Sequence, residues 1–400
     1  MIAKPGKNPN DITSDRPISL LPTLSKILEK LILKRLLPII EDCKIIPSHQ
    51  FGFRRKHETT EQVHRLVHTI HKAMECKQYC SAVFLDISQA FDKVWHTGLL
   101  YKLKRTLPHA AYTLLKSYLS DRMFQVRYQE EYTPLHTIHS GVPQGSILGP
   151  ILYSIYTADL PVSEQTTTAT YADDTAILAS HRNRILASRN LQTHLAQLEK
   201  WFINWRTKAN EGKSTHVTFT LNKEAHCPAV TLSEKQISQG NAVKYLGIHM
   251  DRRMTWRPHI LAKRNQLGLK LQHLYWLLGR KSELTTENKL LLYKTVLNPI
   301  WTYGIQLWGT ASNSNIEILQ RLQNKVLRVI VNAPWYISNN VLHKDLKTPT
   351  IREEITHLCA NYHDKLVTHP NELTPTLLDE AEEPRRLKRF QPSDLSTRFS

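Results

Sequence analysis

Four hundred residues exceed what one compact core usually organises, so two or three subdomains are expected. Hydrophobic residues make up 41%, with Trp, Tyr and Phe spread along the chain, which argues against disorder. Lys and Arg total 53 against 35 Asp and Glu, and the resulting +18 suggests a polyanionic partner, since a positive surface gains by displacing counterions from phosphates; a ribosome-associated or merely basic protein would carry the same charge.

The chain opens with a Pro-rich loop in which Met1 leads straight into Lys4 to Lys7, with no secretory signal. Ile18 to Ile40 is the most apolar stretch, but Lys26, Glu29, Lys30, Lys34 and Arg35 interrupt it. It predicts an amphipathic helix with Leu24, Ile27, Leu28, Leu31 and Ile32 as apolar positions, not a membrane span. A loop with Gln50-Phe-Gly-Phe-Arg54 follows, then a helix from about Thr59 to Met74. His64, His68 and His71 share one side of it, yet no ligand from a second element completes a zinc face.

Ser81 to Asp86 is short, apolar and β-prone, as expected of a buried strand. Helical pattern resumes at Leu99 to Leu119, and a polar β-like stretch covers Phe124 to Ile138. Ser140 to Gly149 is a Gly- and Pro-rich loop, and Pro150 to Tyr156 is apolar again. Thr166 to Tyr171 and Thr175 to Ala179 are β-prone runs around Ala172-Asp173-Asp174, the grammar of a hairpin with carboxylates at its tip. Leu191, Leu195, Leu198, Phe202 and Trp205 mark an amphipathic helix, with Trp201 and Trp205 read as packing residues. Strand candidates follow at His216 to Leu221, Ala229 to Leu232 and Val243 to Met250. Beyond Trp256 the pattern is helical, with Arg252, Arg253, Arg257, Lys263, Arg264 and Lys270 interleaved. From about Asn371 the chain is charged and Pro-punctuated, which predicts a loose tail; its Pro384 to Arg389 run is a candidate nuclear localisation patch or a solvated charge run. Five scattered Cys, at 43, 76, 80, 227 and 359, fit reduced thiols in an intracellular compartment.

Three features carry chemistry. Asp86 ends an apolar strand, where an unpaired carboxylate is costly and a cation is one remedy. Asp173 and Asp174 are adjacent in a tight hairpin, so their repulsion asks for a divalent cation or bulk water. Between them in sequence lies a loop suited to close approach of backbone and substrate. Oxygen ligands suit Mg²⁺, and a pair of such ions can activate a 3′-hydroxyl and stabilise leaving pyrophosphate. An Asp-Asp turn or a strand-end Asp alone is commonplace. The ordered combination is specific.

Ala82-Val-Phe-Leu-Asp-Ile-Ser-Gln-Ala-Phe-Asp-Lys-Val-Trp-His96, Ser140-Gly-Val-Pro-Gln-Gly-Ser-Ile-Leu-Gly-Pro150 and Tyr171-Ala-Asp-Asp174 resemble motifs A, B and C of reverse transcriptases, most closely the non-LTR retrotransposon enzymes of the jockey/LINE type. Arg16-Pro-Ile-Ser-Leu-Leu-Pro22 and Gln50-Phe-Gly-Phe-Arg54 resemble the fingers motifs. Asn210-Glu-Gly-Lys213 and Lys244-Tyr-Leu-Gly247 resemble motifs D and E. Gln323 to Arg328 and Ala333-Pro-Trp-Tyr336 resemble the segment after the thumb, so the likeness reaches to about residue 370. One departure is Asp15, where an aromatic often precedes Arg-Pro-Ile.

The resemblance implies an α+β right hand. Fingers would occupy 1–78 and 106–139, and a palm on an antiparallel sheet 79–105 and 140–250. A thumb-like helical region would cover 251–345, and a partly loose carboxy-terminal extension 346–400. It implies that Asp86 and Asp173 ligate two Mg²⁺ ions (or Mn²⁺) with help from the Ile87 carbonyl, and that Asp174 supports them. Phe91 would be the gate against ribose, Gln144 and Gly145 would line the dNTP pocket, and Arg54 and Arg16 would meet the triphosphate. Lys213 would protonate pyrophosphate or simply contact phosphate. The implied partners are an RNA template, a DNA primer and dNTPs, with no membrane. The work would lie in the nucleus, with assembly on RNA in the cytoplasm and no secretion. Nothing corresponds to the usual amino-terminal endonuclease or a carboxy-terminal Cys/His knuckle, so the nick would come from another protein, as for a truncated copy or part of a polyprotein. An RNA-directed RNA polymerase would carry a polar residue near Phe91 and Gly in place of Ala172. Group II intron enzymes are nearer, but the Ala90 to Trp95 run favours the retrotransposon side. A carboxylate nuclease has no use for the Val142 to Gly145 loop. The rival outside the enzyme class is an idle copy that only binds RNA or DNA.

Overall fold

The computed structural model describes residues 2–3, 15–16, 18–128, 130–224, 226–378, 385–396 and 398. Its centre is a five-stranded sheet made by strands β1 (Tyr79–Leu85), β2 (Thr167–Tyr171), β3 (Asp174–His181), β4 (Thr215–Phe219) and β5 (Ser238–Gly240). They lie in the order β5-β4-β1-β3-β2, all antiparallel except the β4–β5 pair. β1 is central and buried on both sides, which explains its unbroken run of small and apolar residues.

Alternation sorts the strand side chains onto two faces. Val83, Leu85, Ile177 and Ala179 pack under helices α3 (His96–Thr106), α5 (Gly149–Tyr156) and α6 (Arg184–Asn204). Ala82, Phe84, Ala176, Leu178, Val217 and Phe219 face helix α2 (Thr59–Glu75) and the carboxy-terminal helices. On α2, Val63, Leu66, Val67, Ile70 and Met74 recur at helical spacing, and a capping box of Glu58 and Glu61 starts it. The second core continues without a break into α7 (Arg257–His273), α8 (Asn313–Val331) and α9 (Ile351–Val367), around buried Trp256, Trp301 and Trp308.

The structure departs from the sequence pattern in four places. The helix expected over Leu99 to Leu119 is two, α3 and α4 (His109–Leu119), because Pro108 cannot donate in a helix interior. Helix α1 (Thr23–Asp42) forms, but Leu24, Ile27, Leu28 and Leu31 are exposed while Glu29 is buried. It docks through Leu36, Ile40 and the Glu29 carboxylate, which accepts from the Tyr118 hydroxyl and the Ile147 N–H. His64 sits in the core, its Nδ1 3.1 Å from the Tyr362 hydroxyl, and burial pushes it down to about 3. Finally, the described part of the tail is packed rather than loose: Leu395 is buried in the second core, and Arg386 donates to the Met74 and Glu75 carbonyls. Pro384 of the basic patch lies outside the described residues. No helix among them is long and apolar enough to cross a membrane.

Candidate active site

β1 and β3 are in register with Leu85 opposite Thr175, so the next step places Asp86 opposite Asp174 at the end of the two strands. Tyr171 pairs with Asp174, leaving Ala172 and Asp173 as a two-residue turn, with Ala172 at φ +58°. All three aspartates therefore gather at one end of two neighbouring strands. A further crossing fixes Asp86: its N–H donates to Ser214 Oγ at 3.3 Å, and its carbonyl accepts from Asn210 N–H at 2.7 Å. Ile87 bridges Ala209 between those bonds and the Ser88–Lys208 bond, so its own carbonyl points away from that strand. The same turn brings Lys213 Nζ to 3.5 Å from the Asp86 carboxylate, both side chains about half exposed.

Crowding by the protein, reinforced by the Asp173 and Asp86 charges, pushes the Asp174 carboxyl from 3.8 up to about 6. Its surface remains open to solvent, and the two neighbouring carboxylates add a repulsion that a cation would relieve. Among the described residues no set of three or more His, Cys, Asp or Glu forms a closed metal cage. Mg²⁺ does not need one, because it keeps waters and substrate phosphates in its remaining positions. The donor set therefore fits that ion.

Two supports hold the turn, and the sequence did not announce either role. Gln50 accepts the Ala172 N–H at 3.0 Å through Oε1, and its Nε2 reaches the Ala172 carbonyl. Residues 49–51 add a short parallel segment beside β2, with Phe51 N–H donating to the Thr170 carbonyl and Thr170 N–H to that of His49. Gly52 lies against the turn so closely that a Cβ there would stand 2.2 Å from the Ala172 nitrogen. From the other side, buried Tyr245 packs at a tilt against Phe84 and directs its hydroxyl at the Asp174 and Ala169 carbonyls. Tyr245 belongs to the hairpin of β6 (Ala242–Tyr245) and β7 (Ile248–Asp251), whose turn carbonyl, Leu246, accepts from Tyr303 in the helical region.

Phe91 stacks on Tyr153, with centroids 4.7 Å apart, and meets Phe53 edge-on. Tyr153 is buried beside the aspartates: burial, then the Asp173 charge, holds its phenol in the neutral form. Phe91 thus stands one ring from the carboxylates. The Gln144 side-chain amide donates to Asp92 at 2.7 Å, and the Gln144 backbone carbonyl accepts from Ser19 N–H. Gly145, at φ +102°, passes so close to Ser19 that a Cβ would lie 2.9 Å from its carbonyl oxygen. Arg54 is not brought to the carboxylates; it donates to the Pro47 and Gln50 carbonyls of its own loop. The Arg16 backbone pairs with Ile2, while its side chain, and Pro17 of the same motif, lie outside the described residues.

A mostly antiparallel sheet with carboxylates gathered at one end of its inner strands has the arrangement of the palm of a right-hand polynucleotide polymerase. Residues 2–250 match the family described as reverse transcriptase (RNA-dependent DNA polymerase), and the chain belongs to that family. It is 44% identical over its whole length to the probable RNA-directed DNA polymerase from transposon X-element of Drosophila melanogaster, covering 44% of that protein. It is 41% identical over 99% of its length to the RNA-directed DNA polymerase from mobile element jockey of the same species, covering 45% of it. The chain thus spans less than half of these curated relatives. A solved telomerase from Candida tropicalis, in complex with a fragment of telomeric RNA, shares 13% identity at TM-score 0.42 over 89% of this chain and 56% of that one, too distant to bear on residues.

Proposed function

We propose that this chain is the polymerase unit of a non-LTR retrotransposon of the jockey type, copying an RNA template into DNA from a primer 3′-hydroxyl. The observation that carries the reading is the register that sets Asp86 opposite Asp174 and beside Asp173. Asp86 and Asp173, with the Ile87 carbonyl, would hold two Mg²⁺ ions (Mn²⁺ could substitute), and Asp174 would support them. When bound, such ions activate the attacking hydroxyl and stabilise leaving pyrophosphate. Lys213, already beside Asp86, is placed to neutralise or protonate pyrophosphate. Phe91, seated rigidly on Tyr153, would close the space beneath the sugar to a 2′-hydroxyl. Gln144 and Gly145 would shape the dNTP pocket, and Arg54 and Arg16 would reach the triphosphate from the fingers, Arg54 after releasing its loop carbonyls. We place the activity in the nucleus, at a nicked chromosomal end made by a separate endonuclease activity, after assembly with RNA in the cytoplasm.

The test is Mg²⁺-dependent incorporation of dNTPs on a primed RNA template. Asp173→Ala should abolish synthesis and spare primer–template binding. A wild-type chain that binds primer–template but incorporates nothing would be a nucleic-acid-binding protein without chemistry. Phe91→Val should admit ribonucleotides, and an unchanged dNTP/NTP preference in that variant would remove Phe91 from the gate.

A further inference from the structure

Most of the sequence motifs fall around the palm, but Ala333-Pro-Trp-Tyr336 does not. Helix α8 ends at Asn332, whose left-handed φ of +50° turns the chain outward. The loop that follows presents Trp335, 90% exposed, and Tyr336, 68% exposed, side by side with ring centroids 6.0 Å apart and planes at 81°. Neither ring serves the core. The loop is nevertheless built: Arg328 donates to the Pro334 and Ile337 carbonyls and, through Nε and a terminal nitrogen, to Asn339 Oδ1. Ile337 N–H closes onto the Pro334 carbonyl, and Ser338 caps the next helix through Val341 N–H. Arg328 and these loop bonds thus hold two large aromatic rings out in water, where apolar surface is least favoured.

The surroundings say what would cover them. Arg321, Lys325 and Arg328 follow one another at helical spacing on one side of α8, leading to the loop, and the first two are exposed. Residues 321–347 contain five Lys and Arg against a single Asp. A basic track ending in open aromatic faces is what single-stranded nucleic acid requires: phosphates follow the cations and an unstacked base lies on a ring. An apolar protein partner would use the rings and leave the cations facing it unpaired. A duplex has no free base face to offer.

We propose that Trp335 and Tyr336, with Arg321 and Lys325, form a stacking platform for a single strand of RNA or DNA, separate from the carboxylate site. The platform does not depend on catalysis, so it is read in the Asp173→Ala background as well as in the wild-type chain.

The experiment is fluorescence anisotropy of labelled oligo-U and oligo-dT on the full chain, across a salt series, with thermal melting of every variant. Trp335→Ala with Tyr336→Ala should weaken binding by about tenfold or more while leaving the salt slope unchanged. Trp335→Phe, which keeps a stacking face, should retain most of the affinity. Arg321→Ala with Lys325→Ala should flatten the log–log salt slope by about 1.4, the release expected from two single-strand phosphate contacts. The size of the loss on the U and dT arms assigns the platform to RNA or to DNA. A double aromatic variant that melts like wild type and binds both oligonucleotides with wild-type affinity overturns the proposal. So does a variant whose only change is in oligomeric state by sedimentation, which would make the rings a contact between copies of the chain. Loss of synthesis in Asp173→Ala with this binding intact separates the platform from the polymerase reading.

Discussion

Asp174 illustrates how much a single carboxyl can report. Its proton is held up to about 6, above the usual carboxylate range, by its crowded position and by Asp173 and Asp86. The folded chain then binds more protons than the unfolded chain between roughly pH 4 and 6, so this group contributes stability at low pH that is lost as pH rises through 6. Asp174→Asn should remove that dependence. The thermal midpoint of the wild-type chain minus that of the variant should fall between pH 4 and 7 without divalent ions. Mg²⁺ should reverse the fall above pH 6, since ionised carboxylates are what it binds. A flat difference across the window would show that Asp174 is not strained by its neighbours. Glu29 is the opposite case, a buried carboxylate satisfied by two donors rather than by a cation. Nothing in its sequence surroundings separates it from the solvated charges of the same helix, because only the approach of Tyr118 and Ile147, 89 and 118 residues away, gives it partners.

The β2–β3 hairpin and the loop that braces it form one unit. The Gln50-Phe-Gly-Phe-Arg54 loop resembles a fingers motif, yet two of its residues act on the Ala172-Asp173 turn. Gln50 bonds both polar groups of the Ala172 backbone, and Gly52 leaves room for that backbone to pass. Gly52→Ala must displace backbone rather than a flexible side chain. A shift of about 1 Å at the turn should lower incorporation by about 100-fold. The melting temperature should change little if the loop alone moves, and wild-type incorporation by a folded Gly52→Ala chain would contradict this bracing role. The hairpin itself was legible, since β-prone runs flank an Ala-Asp-Asp tip. Its support was not, because a glycine required by a neighbouring strand looks the same in sequence as one required by its own turn. Helix α1 shows the same limit: its apolar pattern is present, but the fold buries its other end.

Across the whole molecule, residues 365–371 hold residues 48–61 in place. Asn371 donates to the Ser48 carbonyl at 2.8 Å and meets His57 at 3.1 Å, and His369 contacts the Lys56 carbonyl. Lys365 pairs with Glu58 and with buried Glu61 at the start of α2. The end of α9 and the segment after it therefore clamp the loop that braces the Ala172-Asp173 turn. Asn371→Ala takes the donor from a partly buried carbonyl, a loss of about 0.5–1.5 kcal/mol. Amide hydrogen exchange over residues 48–57 should quicken, and incorporation should fall without any change in primer–template contacts. Unaltered exchange in that segment would show that the tail merely covers the loop.

Sequence alone determined the candidate carboxylates, their order, their places on a strand end and a hairpin tip, and the family that the motifs resemble. Those are local properties, set by residue type and by spacing along a few residues. Tertiary structure alone decided the register that puts Asp86 opposite Asp174, the hold of Gln50 and Gly52 on the turn, the burial of Glu29 and the packed tail. Each depends on groups brought together from distant parts of the chain, and spacing along the sequence carries no signature of such a meeting.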